Sequence, residues 1–261
     1  MAKLKVGAHF YHWQLRRNLG DAAFPAIVQS FWPTLEPDPQ ADTVFFIGGS
    51  VVDHLCHFPD ARRAYFFGAG VLTESALPDP RDGDRMTFYP RGPVTEDLLR
   101  SSGFRVEPYV GDTAFLLARR DVAPYDPQGP LVRVLDGFAD VPIEEGDEEV
   151  AVAETPRTIG RRVIAELDEW IAFLRTCRGV VSSQVHPVVI SLALGVPARL
   201  VPKDVRSRDI NRSLGVDLGV WRNEAGVLDV RRRMRALSDR WVTAFEREVA
   251  RHAVPSSATP D

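Results

Sequence analysis

Short apolar runs that end in glycine-rich turns constrain the fold of this chain most strongly. Val44 to Ile47 is followed by Gly48-Gly49-Ser50, and Ala64 to Phe67 is followed by Gly68-Ala69-Gly70. Runs of this length are typical of strands that are buried on both faces, as in parallel sheets. Because parallel strands end at one common edge, the pattern predicts a sheet whose loops gather there and can bind a ligand.

Helix signals between the apolar runs extend this pattern. Residues 93–102 have the features of a helix, with a proline in the first turn and Gly103 after the last residue. A third strand is predicted around residues 107–110, before the turn Gly111-Asp112. The alternation of strand and helix predicts an α/β fold with mostly parallel sheets and helices on their faces.

A second α/β unit follows a segment that interrupts the pattern. Residues 119–129 are rich in proline, aspartate and glycine, which is typical of a connection between domains. We therefore expect an N-terminal α/β domain of residues 1–120, a C-terminal α/β domain of residues 130–252 and a frayed tail of residues 253–261. The elements predicted for the second unit are strands at 131–135, 149–153, 180–181 and 198–201, helices at 163–174 and 187–194, and a long final helix with the apolar face Met234, Leu237, Trp241, Phe245 and Val249.

Charge, cysteine content and hydropathy argue against several classes of protein. The formal net charge is -4, so nucleic acid is not expected as a partner. Cys56 and Cys177 have neither a CxxC nor a zinc-type spacing, so no disulfide framework and no metal site are predicted. The first residues lack the apolar core of an export signal, and no stretch reaches the ~18 apolar residues of a membrane span. A cytoplasmic protein is expected.

The order of short motifs along the chain is more specific than any single motif. The motifs are Asn18-Leu19-Gly20-Asp21, Phe46-Ile47-Gly48-Gly49-Ser50, Phe67-Gly68-Ala69-Gly70, Arg91-Gly92-Pro93-Val94-Thr95, Val110-Gly111-Asp112-Thr113-Ala114, Val181-Ser182-Ser183-Gln184-Val185-His186 and Gly195-Val196-Pro197. This order resembles the polysaccharide pyruvyl transferase family, from about Asn18 to Pro197, and the residues within the motifs are most similar to those of the xanthan-type ketal pyruvyltransferases.

The resemblance implies a transferase that moves a pyruvyl group from phosphoenolpyruvate onto a sugar of a cell-surface or exopolysaccharide precursor, forming a ketal. It implies two Rossmann-like domains that face each other across a cleft, as in enzymes of the glycosyltransferase-B fold. No metal or organic cofactor is implied, since phosphoenolpyruvate is a co-substrate. The implied partner is a glycan or a lipid-linked oligosaccharide, which would bring the protein close to a membrane surface.

One position departs from the family pattern. Many members carry an arginine two residues before the motif histidine, where it is thought to bind the donor phosphate, whereas this chain has Gln184. Glutamine donates a hydrogen bond but carries no charge. Two alternatives to the pyruvyltransferase therefore stay open: a glycosyltransferase-like enzyme with a nucleotide-sugar donor, and an inert glycan-binding relative.

The candidate catalytic residues are His186, Asp21 and Asp112. Ketal formation needs a group that gives and takes protons near neutral pH, and His186 fits because it lies at a predicted strand-to-helix junction. Asp21 and Asp112 each follow a glycine and could accept a proton or a sugar hydroxyl. The structural alternatives are a histidine that packs at a helix start, an N-cap at Asp21 and a turn former at Asp112.

The candidate binding residues are matched to a donor that carries a phosphate and a carboxylate. Arg91 can pair with either anion through two parallel N–H groups, although a surface arginine at a helix start is the alternative. Backbone N–H groups of the glycine-rich turns and of the 187–194 helix start would add an anion nest. The full set is Arg91, Ser182, Ser183, Gln184, Gly48, Gly49, Ser50, Gly68 and Gly70 for the donor, and Asn18 and Tyr89 for the acceptor.

Overall fold

Two four-stranded sheets form the framework of the protein. The computed structural model describes residues 3–12, 18–75, 77–135, 148–152, 163–201 and 204–254. Within this part the strands are β1 (Leu4–Val6), β2 (His9–Tyr11), β3 (Leu35–Pro37), β4 (Thr43–Ile47), β5 (Arg63–Ala69), β6 (Met86–Pro90), β7 (Leu131–Leu135), β8 (Glu148–Ala151), β9 (Gly179–Ser182) and β10 (Ala198–Leu200).

All neighbouring strands in these sheets are parallel, which confirms the predicted α/β class. The first sheet has the order β2-β4-β5-β6, the second has the order β10-β9-β7-β8, and β1 pairs with β3. In the second sheet the chain passes from β7 to β8 on one side and later to β9 on the other. The topological switch point therefore lies between β7 and β9, where an open sheet forms a crevice at the carboxyl ends of its strands.

Helices cover the faces of both sheets and connect their strands. They are α1 (Leu19–Phe31), α2 (Pro93–Ser101), α3 (Leu167–Leu174), α4 (Val185–Ala193), α5 (Val205–Leu214) and α6 (Glu224–Arg251), with 3-10 helices at His54–His57, Pro80–Arg85 and Thr113–Arg119.

The last helix, α6, packs against the first sheet although it follows the second. The Phe245 ring lies 5.3 Å from that of Phe67 in β5 and 6.1 Å from that of Phe45 in β4. Trp241 is fully buried beside it, and each such side chain contributes roughly 2 to 3 kcal/mol by burial. One apolar core therefore includes residues of both predicted domains, whose boundaries remain a prediction.

Most elements predicted from the apolar patterns are present. The strands at 44–47 and 64–67, the helix after residue 93 and the four strands of the second unit are confirmed, and all five residues of the predicted α6 face are buried. The strand at 149–153 begins at Glu148, and its last predicted residue lies outside the described part of the chain. Among the elements that were not predicted are β6 and α5.

Two predicted elements are wrong in position. Residues 107–110 form no strand: a single bridge joins Val106 to Phe88 of β6, and Pro108 has no N–H with which to extend the ladder. The helix expected at 163–174 starts only at Leu167, because Val163 forms a parallel bridge with Ala151 at the end of β8. In the first case strand pairing could not continue past Val106, and in the second case strand pairing replaced the first turn of the expected helix.

Candidate active site

Four charged side chains from both halves of the chain lie in two pairs beside the carboxyl edge of the first sheet. Arg91 directly follows β6, Asp112 precedes the 3-10 helix Thr113–Arg119, His186 lies in the first turn of α4, and Asp209 lies in α5. We call these four residues the charged cluster. In each pair, one member comes from the first half of the sequence and the other from the second half.

The first pair of the charged cluster is His186 and Asp112. Nε2 of His186 lies 3.6 Å from Oδ2 of Asp112, and the Asp112 side chain is completely buried whereas that of His186 is 19% exposed. The other carboxyl oxygen of Asp112 accepts a hydrogen bond from the Ala114 N–H at 2.9 Å. The imidazole ring is also held edge-on to the Phe24 ring at 5.1 Å. A partly exposed imidazole thus rests on a buried carboxyl group.

Opposing effects act on the ionisation of Asp112. Burial alone would raise the pKa of its carboxyl group, but His186, Arg91 and the Ala114 N–H outweigh burial and hold the pKa below its usual value. Asp112 is therefore an anion at neutral pH. A buried anion beside Nε2 fixes the orientation of the imidazole.

The start of α1 lies directly against the imidazole of His186. A Cβ atom at Gly20 would lie 2.1 Å from Nδ1 of His186, so no other residue fits at this position without moving the ring. Asn18 is the N-cap of α1, and its side-chain oxygen accepts a hydrogen bond from the Gly20 N–H at 2.8 Å. Asp21 is the third residue of α1 and not its N-cap, and its side chain is outside the described part of the structure.

The second pair of the charged cluster is Arg91 and Asp209. Nε of Arg91 lies 3.5 Å from Oδ2 of Asp209, and both side chains are buried. The guanidinium group lies so close to Gly70 that a Cβ atom there would be 2.3 Å from Nη2. No described residue supplies a hydrogen-bond partner to any of the three guanidinium nitrogens, and buried polar groups are rarely left so. Arg91 is therefore not the surface arginine considered as the alternative.

Asp209 also caps the helix that follows Arg91. Its carboxylate accepts hydrogen bonds from the Val94 N–H at 2.9 Å, the Thr95 N–H at 3.2 Å and the Thr95 hydroxyl at 2.7 Å. The N-cap of α2 is Gly92, which has no side chain to cap the helix, and a Cβ atom there would lie 2.4 Å from Oδ1 of Asp209. Sequence reasoning missed Asp209, because the groups it binds lie more than a hundred residues away.

The segment between β9 and α4 lies beside the switch point of the second sheet. Ser182 ends β9 and is buried, and its hydroxyl accepts a hydrogen bond from the Gln184 N–H at 2.9 Å. Ser183 is also buried, while Gln184 is half-buried and is the N-cap of α4 without a side-chain cap. Their role in donor binding remains a prediction.

The glycine-rich turns of the first sheet lie at the carboxyl ends of β4 and β5, as expected. Gly48 and Gly49 have φ angles of 65° and 76°, and Ser50 is half-buried after them. Gly68 has a φ of 62°, and a Cβ atom there would lie 2.8 Å from the carbonyl oxygen of Gly111. These left-handed conformations favour glycine and bring the turn before Asp112 against β5. A role of these turns in donor binding remains a prediction.

Tyr89 lies in a different environment from the charged cluster. Its buried hydroxyl donates a hydrogen bond to Glu248 at 2.6 Å and accepts one from Arg247 at 2.8 Å, both on α6. Burial raises the pKa of the Tyr89 phenol far above its usual value. The cavity beside it is not lined by Arg91, Asp112 or His186. A contact of Tyr89 with the acceptor sugar remains a prediction.

The described part of the chain contains neither a candidate metal centre nor a helix that could span a membrane. Its histidine, cysteine, aspartate and glutamate side chains form no group of three or more that could hold a metal ion. In the same residues, no helix combines the length and the apolar character that crossing a membrane requires.

Known proteins resemble this chain in sequence and in fold. The sequence model of one protein family, described as polysaccharide pyruvyl transferase, matches residues 8–203. The crystal structure of a functional uncharacterized protein from Klebsiella pneumoniae subsp. pneumoniae NTUH-K2044 is similar, with a TM-score of 0.53 at 12% identity, over 78% of this chain and 86% of that chain. At this identity the likeness concerns the fold alone. A search of the curated proteins finds no match.

Proposed function

Because the chain belongs to the polysaccharide pyruvyl transferase family, we propose that it transfers the pyruvyl group of phosphoenolpyruvate to a sugar of a cell-surface or exopolysaccharide precursor and forms a pyruvate ketal. The observation that carries this proposal is the pair His186 and Asp112, whose side-chain atoms approach to 3.6 Å. A partly exposed imidazole on a buried carboxylate is the usual arrangement of an acid–base group in enzymes.

The reaction consumes one phosphoenolpyruvate and two hydroxyl groups of one sugar. A proton adds to the methylene carbon of the donor, and the first hydroxyl oxygen forms a bond to C2. The C2–O bond to phosphate then breaks, and the second hydroxyl oxygen bonds to C2, which yields the ketal and inorganic phosphate. One of the two hydroxyl protons thus replaces the proton that was added to the methylene carbon, and the other leaves with the released phosphate. The enzyme must therefore relay protons and stabilise positive charge at C2.

His186 is the proposed relay for these protons. Its Nε2 faces Asp112, so Nδ1 is the nitrogen that remains for the substrate. Since Gly20 carries no side chain, the imidazole can pack against the start of α1, with Nδ1 close to the place that a Cβ atom would occupy. Asp112 would hold the ring in place, which makes it a positioning residue in this scheme. Asp21 is kept as a second proton acceptor, and Asn18 as an acceptor-binding residue, because both lie on the same helix turn as Gly20.

Arg91 is the proposed partner of the anionic groups of the donor. Its guanidinium has three nitrogens without hydrogen-bond partners in the described part of the chain, and a carboxylate or phosphate would supply acceptors for them. Because Arg91 is fully buried, donor binding has to displace Asp209 or the backbone around Gly70 to reach it. Ser182, Ser183 and Gln184 would add uncharged donors at the switch point, in place of the arginine that many family members carry.

We also propose that the protein consists of two Rossmann-like domains of the glycosyltransferase-B type. In support, the predicted boundary at residues 119–129 separates the two four-stranded sheets. The two pairs of the charged cluster connect these halves, which is where a cleft between them would lie. The xanthan-type subgroup and the cytoplasmic location belong to the same proposal.

The test is to incubate the protein with phosphoenolpyruvate and a set of lipid-linked oligosaccharides. A pyruvyl ketal adds a defined mass to one acceptor, and inorganic phosphate appears in equal amount. A thermal-shift titration distinguishes the donors, because only a ligand that binds the native state stabilises it. Stabilisation by nucleotide sugars and not by phosphoenolpyruvate would replace this proposal by the glycosyltransferase alternative, and absence of any donor effect would favour the inert binding protein.

A further inference from the structure

A cavity of about 430 Å³ lies near the amino-terminal edge of the first sheet, whereas the glycine-rich turns lie at its carboxyl edge. It opens beside the first residues of β5 and β6, next to the C-terminal part of α6. Its size is within the usual range of small-molecule sites. Arginine is its commonest lining residue: Arg62, Arg63, Arg85, Arg105, Arg247 and Arg251.

The cavity carries an excess of positive charge. Six arginines and three carboxylates line it, and Asp42 and Asp82 pair with two of these arginines from outside the lining, which leaves a net charge of about +1 at neutral pH. One of the carboxylates, Glu248, is completely buried and already bound by Tyr89 and by Arg251 at 2.8 Å. The remaining acidic groups are therefore too few to neutralise the arginines.

Two of these arginines are only loosely engaged within the protein. Arg62 approaches Asp42 no closer than 3.5 Å, and Arg105 approaches Glu107 no closer than 3.8 Å. Their side chains are 82% and 75% exposed. Long exposed ion pairs contribute little to stability, so these guanidinium groups can turn toward a ligand at small cost.

This cavity is separate from the charged cluster. Arg63 is the first residue of β5, whereas Gly70, which contacts Arg91, follows the last residue of that strand. A strand of this length spans about 20 Å at ~3.3 Å per residue. Arg63 therefore lies far from Arg91, and neither Arg91 nor His186 lines the cavity.

We propose that the arginine-lined cavity binds a phosphate monoester or diphosphate group of a soluble ligand. Guanidinium groups match the geometry of phosphate oxygens through paired N–H donors, and six of them around one cavity suit a group with two or three negative charges. The cavity is recessed, with the buried Tyr89 and Glu248 among its walls, so it fits an entering ligand better than a flat membrane surface. This site is independent of the proposed pyruvyl transfer.

The test measures binding of inorganic pyrophosphate by isothermal titration calorimetry at low salt. The variant carries Arg62→Gln and Arg105→Gln, two exposed changes that leave the core intact. The matched control is Arg232→Gln, an arginine of α6 that is 77% exposed and does not line the cavity. We expect the double variant to weaken pyrophosphate binding at least about tenfold, as the loss of two charge-assisted contacts requires, and the control to bind as the wild type does.

A second arm separates this site from the charged cluster and from membranes. His186→Ala is expected to bind pyrophosphate like the wild type, whether or not the protein transfers pyruvyl groups. Equal affinity of the wild type and the double variant, or no binding to either, would overturn the proposal. The last arm measures sedimentation with phosphatidylcholine vesicles that contain phosphatidic acid. If the wild type binds these vesicles, the double variant does not, and pyrophosphate binds to neither protein, the arginines belong to a membrane-binding surface instead.

Discussion

Nε of Arg91 lies 3.5 Å from Oδ2 of Asp209, and this buried pair connects the helix that starts after the first sheet to a helix of the second half. Asp209 at the same time supplies the cap that Gly92 cannot provide for α2. A single carboxylate thus balances the charge of Arg91 and holds α2 against α5. The position of Arg91 and the contact between the two halves therefore depend on each other.

The first prediction concerns the Asp209→Asn variant. Asparagine can still accept a hydrogen bond from the Val94 N–H, but it leaves the buried Arg91 without its close counter-ion. The free energy of unfolding should fall by about 3 kcal/mol, as is usual when one partner of a buried ion pair is removed. Urea denaturation measures the change. The control is Asp229→Asn, whose exposed pairs with Arg232 and Arg233 should matter far less. Equal effects of both variants would contradict the role of Asp209.

A second prediction concerns the Gly20→Ala variant. The new Cβ atom would lie 2.1 Å from Nδ1 of His186, so the imidazole has to move away from the substrate space. Pyruvyl transfer should fall by about a hundredfold with the fold retained, because small displacements of a catalytic group cost this much. Gly83→Ala is the control, since its Cβ would meet only Phe104 at 3.8 Å. The interpretation fails if both variants keep full activity.

The third prediction concerns how His186 and Asp112 act together. His186→Ala should lower turnover by about 10²–10⁴-fold, the usual contribution of an acid–base group. Asp112→Asn should lower it as well, and the double variant should be no slower than His186→Ala, because Asp112 acts through the imidazole. Steady-state phosphate release measures all three, with His57→Ala, an exposed histidine, as the control. Additive losses would show that Asp112 has a separate role.

The fourth prediction follows from the lowered pKa of Asp112. The pKa of this carboxyl group is lower in the folded state than in the unfolded state, so the group stabilises the protein at any pH above its unfolded-state pKa. This stabilisation is lost as the pH falls through the folded-state pKa. The difference in unfolding free energy between the wild type and Asp112→Asn should thus be largest near neutral pH and shrink below pH ~4. Denaturation curves across this range measure it. A difference that grows with acidity would contradict the assignment.

The fifth prediction concerns the two cysteines. Burial raises the pKa of the Cys177 thiol to about 11, with a small opposing effect of the Gly179 N–H, whereas Cys56 is exposed. One thiol per chain should therefore react rapidly with a thiol reagent at pH 8, and both should react in denaturant. Cys56→Ser should abolish the fast reaction. A fast reaction that persists in this variant would show that Cys177 is accessible.

Much of the fold could be predicted because its signals are local. The apolar runs of β4 and β5 and the apolar face of α6 are properties of short segments, and burial of these residues follows from hydrophobicity alone. Where two segments compete, local signals fail: Pro108 ended the expected strand, and pairing with Ala151 removed Val163 from the expected helix.

The sequence by itself determined the α/β class, the family, and the position of His186 at a strand-to-helix junction. Only the tertiary structure placed Nε2 of His186 beside the Asp112 carboxylate, buried Arg91 against Gly70, and brought Asp209 to the start of α2. It also placed Tyr89 in the arginine-lined cavity instead of the charged cluster. The physical reason is that secondary-structure propensity and hydrophobic periodicity reflect residues that are close in sequence. These contacts instead join groups that only the packing of sheets and helices brings together.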